Sequence, residues 1–264
     1  RNNLEEPTTI HWHGIRLPAP MDGTQVVQPL VQPGETFEYR FVVPDAGTFW
    51  YHSHHNETVQ MERGLYGALV VRDRNEVQVD RERVLLLDDM KLRRNGEFAR
   101  FGGWFEQHMG REGGVRLVNG KSEPTIEVAA GQIERWRVVN ASSARIYGLA
   151  FEGHEPWVIA LDGHPVAPHK VERVVLGPAM RAEVVLDCVA EPGSRHRVID
   201  DFYRRRAYRL LDVEYSVDKP LRQAFGPPPR LAPNPVSQPD LARAERHRIV
   251  FGGGMMGAMP SQRE

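Results

Sequence analysis

The sequence predicts an all-β chain made of tandem Greek-key sandwich or barrel domains. Two observations carry that reading. Short runs rich in valine, isoleucine, leucine and aromatics recur along the chain, each bounded by Gly, Pro, Asn or Asp. The clearest of these runs alternates apolar and polar residues with period two, the pattern of a strand with one buried face.

Taken in order, "RNNLEEPTT" (1–9) reads as a strand end followed by a loop. Without a start methionine, and with "HRIVFGGG" opening a new strand near the other end, the chain reads as an internal window of a longer protein. In "GETFEYRFVV" (34–43) Phe37, Tyr39, Phe41 and Val43 share one face and Thr36, Glu38 and Arg40 the other, so a strand is predicted there, entered through the "QPG" turn. "GTFWYHSH" (47–54) and "LYGALVVRD" (65–73) are the next strands. Beyond a charged connection at 72–83 come "RVLLLDDM" (83–90), "PTIEV" (124–128), "IERWRVVN" (133–140), "WVIAL" (157–161), "VERVVL" (171–176) and "RAEVVLD" (181–187). Only "ETVQMERG" (57–64) and "PDLARAER" (239–246) have the character of short helices. Prolines 220, 227, 228, 229, 233, 235 and 239 cannot sit inside a sheet and predict a semi-rigid extended connector. The expected division is a first β domain over 1–72, a second over 73–215, a proline-rich linker over 216–247 and the start of a third domain over 248–264.

Composition narrows the function. A formal charge of −1 over 264 residues gives no reason to expect nucleic acid or an anionic membrane as partner. No apolar run reaches the length of a membrane span. Cys188 is the single cysteine, which excludes a disulfide framework and a cysteine-rich zinc site.

The chemistry-bearing motifs are two His-x-His pairs, "TTIHWHGI" and "TFWYHSHHNE". Alternate residues of a strand point to the same side, so His11 and His13 share a face, as do His52 and His54. Two such pairs on adjacent strands bring four imidazoles together, and an all-imidazole set without carboxylates favours copper or zinc. His55 falls on the opposite face from the second pair. Trp12, Trp50 and Tyr51 are read as packing residues around the site. His154, His164, His169 and His196 fall in loops and strand ends of the second domain and are read as surface or turn residues. "RRRAYR" (204–209) is read as a solvated charge cluster.

"TTIHWHG", "MDG", "PGETFEYRF" and "AGTFWYHSHHNETVQMERGLYGALVV" together resemble the first domain of the multicopper oxidases, the laccase-like, three-domain enzymes of the cupredoxin fold. "LVNGKSEPTIEVAAGQIERWRVVNASSARIYGL" and "GHEPWVIALDGHPV" resemble the second domain, and "FGGGMMGAM" the entry to the third. The resemblance implies tandem cupredoxin-like domains. It also implies a trinuclear copper cluster, between the first and third domains, that reduces O2 to water with electrons from a phenolic or metal-ion donor. Four His-x-His pairs hold that cluster. By motif position His11 would bind the type 2 copper, and His13, His52 and His54 the type 3 pair. Asp22 matches an acid that helps deliver protons. The resemblance further implies export to a periplasmic or extracellular space and a second domain that spaces the other two.

The sequence departs from the whole enzyme in lacking the His-Cys-His motif of the blue type 1 copper and the third domain's two histidine pairs. Cys188 has no histidine beside it and is read as a buried residue at a strand end. Half of the cluster's ligands are present, so the chain alone is expected to be inactive. Two-domain copper nitrite reductases are a poorer match, because Ser53 stands where they carry a cysteine. A copper-free structural relative would have released its histidines, yet all four positions are retained. The copper-free structural or assembly protein stays as one alternative, and a copper-binding fragment without turnover is the other. Met255, Met256 and Met259 could serve as soft Cu(I) ligands, against a plainer reading as a glycine-rich lead into the third domain.

Overall fold

The computed structural model describes residues 1–73, 77–222, 226–236 and 239–249. The expected all-β architecture is present, with three sheets, two short α-helices and two single 3-10 turns among these residues. Strands β1 (Ile10–His13), β2 (Gly47–Ser53) and β3 (Tyr66–Val71) form one antiparallel sheet in the order β1-β2-β3.

The second region holds the other two sheets. Strands β4 (Arg81–Met90), β5 (Val115–Val118), β7 (Gln132–Asn140), β9 (Trp157–Leu161), β10 (His164–Lys170) and β12 (Arg181–Cys188) form a sheet in the order β10-β9-β12-β7-β4-β5. Strands β6 (Thr125–Val128), β8 (Tyr147–Phe151), β11 (Arg173–Leu176), β13 (Arg195–Asp200) and β14 (Tyr208–Tyr215) form another, ordered β11-β8-β13-β14-β6. β4 with β7 and β14 with β6 run parallel; the other pairs are antiparallel. The inward faces of these two sheets make one core, in which Leu87, Trp136, Val138 and Val184 from the first meet Tyr147, Leu149, Val198 and Leu211 from the second. Cys188 ends β12 inside this core, and burial pushes its thiol pKa up to about 12.

The six-stranded sheet is covered on its other face as well. Ile133, Ile159, Ala160 and Val185 pack there against Val77 and Leu231 of the proline-rich stretch. Leu231 and Asn234 pin this stretch along the face. The Asn234 carboxamide donates to Gly163 O (2.9 Å) and accepts from Ala46 N–H (3.0 Å). β2 leans on β7 and β12 over the same face. The approach is close enough to require glycine. A Cβ on Gly47 would stand 2.5 Å from Gly163 O, and one on Gly163 would stand 2.6 Å from the Phe49 ring.

Three expectations change. The segment 34–43 keeps its alternation, with Phe37, Tyr39 and Phe41 half-buried and Glu38 and Arg40 exposed, but it is extended chain without a ladder. The apolar face is used against Trp12, whose ring meets Tyr39 and Phe41 edge-on, while Val43 is exposed. Residues 239–246 hold only a turn at 241–243. Every side chain there is exposed, so no packing supplies what so short a helix lacks. Conversely, α1 (Glu57–Glu62) forms as expected, but α2 (Trp104–Met109) was not foreseen. Glu106 of α2 is tied to Lys91 and Arg111 at 2.7 and 2.6 Å. The methionines at 255, 256 and 259 lie outside the described residues.

Candidate metal centre

β1 and β2 pair so that His11 stands opposite His52. The His-x-His spacing then puts His13 and His54 on the same side, and the four rings converge. Ring centroids lie 5.2 Å apart for His11–His13, 5.2 Å for His11–His52, 5.4 Å for His11–His54 and 5.7 Å for His13–His52. One ring nitrogen from each of His11, His13 and His52 lies within 4.8 Å of the others, and no other such group of three occurs among the described residues. The rings open into a cleft of about 350 Å3, whose far wall is Ser142, Ser143, Pro178 and Ala179 from the second region.

Local structure fixes each ring. The His11 Nδ1–H donates to Asp22 Oδ1 at 2.8 Å, which leaves Nε2 as a lone-pair donor. Asp22 is brought there by a turn that closes on β1. Gly23 has φ +78°, and a Cβ there would meet Ile10 O at 2.4 Å. His52 Nδ1–H donates to Ser53 O (2.8 Å), with Glu57 Oε1 at 3.5 Å, so its Nε2 is also left free. That Nε2 stands 3.4 Å from His13 Nδ1. Two ligand atoms of one ion with bonds of about 2 Å sit at about that spacing. The strand lead-ins are stapled by buried Gln60 of α1. It accepts from Ser53 Oγ (2.5 Å) and Thr8 Oγ1 (2.8 Å) and donates to Pro7 O (2.9 Å). Trp50, 1% exposed, floors the site with its ring 4.4 Å from His52. His55 turns away, with its Nδ1 accepting from Gln25 Nε2.

Burial keeps two of the rings, His13 and His52, neutral. Burial, with help from Arg181, His11 and His52, lowers the His13 pKa to about 3. Burial also lowers that of His52, against the opposing pull of Ser53 O and Glu57. Neutral imidazoles are the ligating form, so the donor set fits a soft or borderline metal such as copper. Burial raises the Asp88 carboxyl, bonded to Tyr66 Oη at 2.7 Å, to about 7. The signs follow. His13 and His52 bind fewer protons folded than unfolded, so below their unfolded value of 6.5 they favour the fold more as pH rises. Asp88 works in the opposite sense between 3.8 and about 7. With His154 lowered by burial in the same way as His13 and His52, and only Asp88 opposing them, the melting temperature of the metal-free chain is expected to climb from about pH 4 to 6.5. Thermal melts across that range check it, and a flat or falling profile would contradict the assignment.

Sequence reading missed several residues of this site. Glu57 and Gln60 sit one helix turn beyond the second motif. Ser142, Ser143, Ala179 and Arg181 come from a distant region with no motif of their own. The other histidines lie apart from the four. His154 Nε2 meets Tyr215 Oη at 2.5 Å and its ring contacts His196 edge-on, while His164 and His169 lie on β10.

Two sequence-family models, both described as multicopper oxidase, match residues 1–76 and 48–196, the second alone covering more than half of the chain. The chain belongs to the multicopper oxidase family. Multicopper oxidase MmcO of Mycobacterium tuberculosis is 31% identical over 215 residues, a match that covers 70% of this chain and 42% of that protein. Copper resistance protein A of Escherichia coli is 28% identical, covering 71% and 38%. A crystal structure of a multi-copper oxidase from Pseudomonas thermotolerans superposes with a TM-score of 0.83 at 40% identity, over 92% of this chain and 58% of that one. The chain thus spans less than half the length of these curated relatives, and its sheets are those of tandem cupredoxin domains.

Proposed function

We propose that this chain supplies one wall of the trinuclear copper site of a laccase-like oxidase, which couples one-electron oxidation of a phenolic or metal-ion donor to the reduction of O2 to water. The observation that carries the reading is the convergence of four imidazoles, three with nitrogens within 4.8 Å, on one cleft. His11 would hold the type 2 copper, and His13, His52 and His54 the type 3 pair. When bound, the coppers supply the electron transfer that takes O2, with four electrons and four protons, to two waters.

The chain's own residues do the rest. Asp22 fixes the His11 tautomer and, with a side chain 35% exposed, stands where it can pass protons from solvent towards the site. Trp50 and Met61 exclude water from beneath the rings. The second region spaces and backs the site through the wall at 142–143 and 178–179. The proposed division is 1–72 and 73–215 as two cupredoxin domains, 216–247 as linker and 248–264 as the beginning of a third. That third domain would bring the other histidines and the type 1 copper, and export to a periplasmic or extracellular space fits the copper-resistance relatives. Alone, the chain would bind copper without turnover.

Copper analysis and the visible spectrum of the copper-loaded chain test this. The expected result is bound copper, no intense blue thiolate band, and no oxygen consumption with a phenolic donor. Absence of bound copper at pH 7, with the fold intact by circular dichroism, would overturn the ligand assignment.

A further inference from the structure

A second cleft, of about 340 Å3, opens at one end of the second region. It shares no lining residue with the four-histidine cleft. Its size is in the range that holds a small organic molecule. Three arginines line it, each in a different state.

Arg145 forms the floor. It is 6% exposed, and it is held by Asp89 at 2.9 Å and by Gly113 O at 2.6 Å. Arg116, at the start of β5, lies half-buried with its guanidinium 4.0 Å above the Tyr208 ring. It makes no ion pair among the described residues, and its Nε–H is buried without a hydrogen-bond partner. Arg206 stands exposed at the rim, also without an ion pair among the described residues. The carboxylates are engaged elsewhere. Asp200 accepts from the N–H groups of Gly148 and Phe202 (2.9 and 3.1 Å), and Glu112 leans towards Arg145 at 3.7 Å. The Tyr208 hydroxyl is buried against the Asp200 carboxylate, and burial followed by that carboxylate pushes its pKa up.

Two guanidinium groups without an ion pair among the described residues thus converge on one cleft, a concentration of positive charge that favours an anion. A guanidinium stacked on a tyrosine and a second at the rim match the donor pattern that recognises a planar or tetrahedral oxyanion. We propose that this cleft binds a small oxyanion, a carboxylate or a phosphate group, with Arg116 and Arg206 as its charged contacts and the Tyr208 ring as a packing wall. The tyrosine-arginine stack gives an aromatic carboxylate a flat wall to lie against. The "RRRAYR" run, read from the sequence as solvated surface, thus contributes Arg206 and Tyr208 to a site, while Arg204 and Arg205 remain exposed.

Calorimetric titration of the full chain with inorganic phosphate and, separately, with benzoate at matched ionic strength tests this, with chloride as the blank. The expected result is saturable one-site binding of at least one of the two, weakened about tenfold or more by Arg116→Gln and by Arg206→Gln. Arg94→Gln, an exposed cation remote from the cleft in sequence, is expected to leave binding unchanged. Tighter benzoate binding would identify an aromatic carboxylate as the ligand type, and tighter phosphate binding a phosphoryl group. Because Arg206 is exposed, its variant should fold even if Arg116→Gln does not, and melting curves verify that. Absence of saturation by either probe, or equal affinity in Arg206→Gln and the parent, would overturn the proposal.

Discussion

Replacing His52 by alanine is expected to lower the chain's affinity for copper by more than about 100-fold, beyond the effect that loss of a residue merely supporting a ligand produces. His52 is the most buried of the four rings, 4% exposed, with Nδ1 already committed to Ser53 O and Nε2 left free for a metal. The same change strips a ring from the face of Trp50 and also costs stability, about 1–3 kcal/mol. His11→Ala separates the two effects. His11 is only half-buried, so its loss should release copper with little change in melting temperature. Asp22→Asn keeps the size and an acceptor oxygen for His11 Nδ1–H but removes the charge. A milder loss, about 10- to 100-fold, is expected. Competition titration with a chromophoric copper chelator ranks the three. Equal affinities in His52→Ala and the parent would remove His52 from the ligand set.

How much of this was legible follows from the kind of signal each residue carries. The histidine pairs announce themselves because strand geometry converts i, i+2 spacing directly into a shared face, and the register that sets His11 opposite His52 needs only that β1 and β2 be neighbours. The apolar strands β4, β7, β9 and β12 were visible for the same reason. β5, β8, β10, β13 and β14 were not named. β10 carries two prolines and β13 reads as "RHRVID", so their identity as strands comes from the neighbours they pair with, not from composition. Segment 34–43 errs the other way, since alternation reports a half-buried face but not whether a neighbour accepts the backbone hydrogen bonds. The far wall of the copper cleft was invisible because tertiary folding alone brings Ser142 and Ala179 to residues more than eighty positions away.

The charges of β7 and β12 were the least readable feature, and they carry the largest expected stability effect. Arg135, Arg137 and Glu183 alternate along their strands as a solvated face would, yet they are 4%, 1% and 1% exposed. Glu183 Oε1 accepts from Thr48 Oγ1 at 2.6 Å and from Arg137 Nη1 at 2.7 Å, and Oε2 accepts from Arg135 Nη2 at 2.5 Å. Glu82 is the second carboxylate of the group, 2.9 Å from Arg137 and 3.6 Å from Arg135. Glu183→Ala leaves two buried guanidinium groups sharing one acid and is expected to cost about 3–5 kcal/mol, a fall of about 6–20 °C in melting temperature for a chain of this size. A loss below about 1 kcal/mol in denaturant unfolding would show that water or Glu82 compensates. The network also reaches the metal site, because Thr48 lies on β2 four residues before His52, and Arg181 on the same strand as Glu183 holds Thr48 O at 3.3 Å. Loosening this face frees β2 to shift against the wall formed by Ser142 and Ala179. Glu183→Ala should therefore weaken copper binding as well, although it touches no ring. Thr48→Val, which keeps the shape and removes the hydroxyl's two hydrogen bonds, one given to Glu183 and one taken from Arg137, separates the causes. It should cost about 2 kcal/mol and leave copper affinity near that of the parent. If copper affinity instead falls as far in Thr48→Val as in Glu183→Ala, the register of β2 rests on the threonine hydroxyl and not on the buried charges.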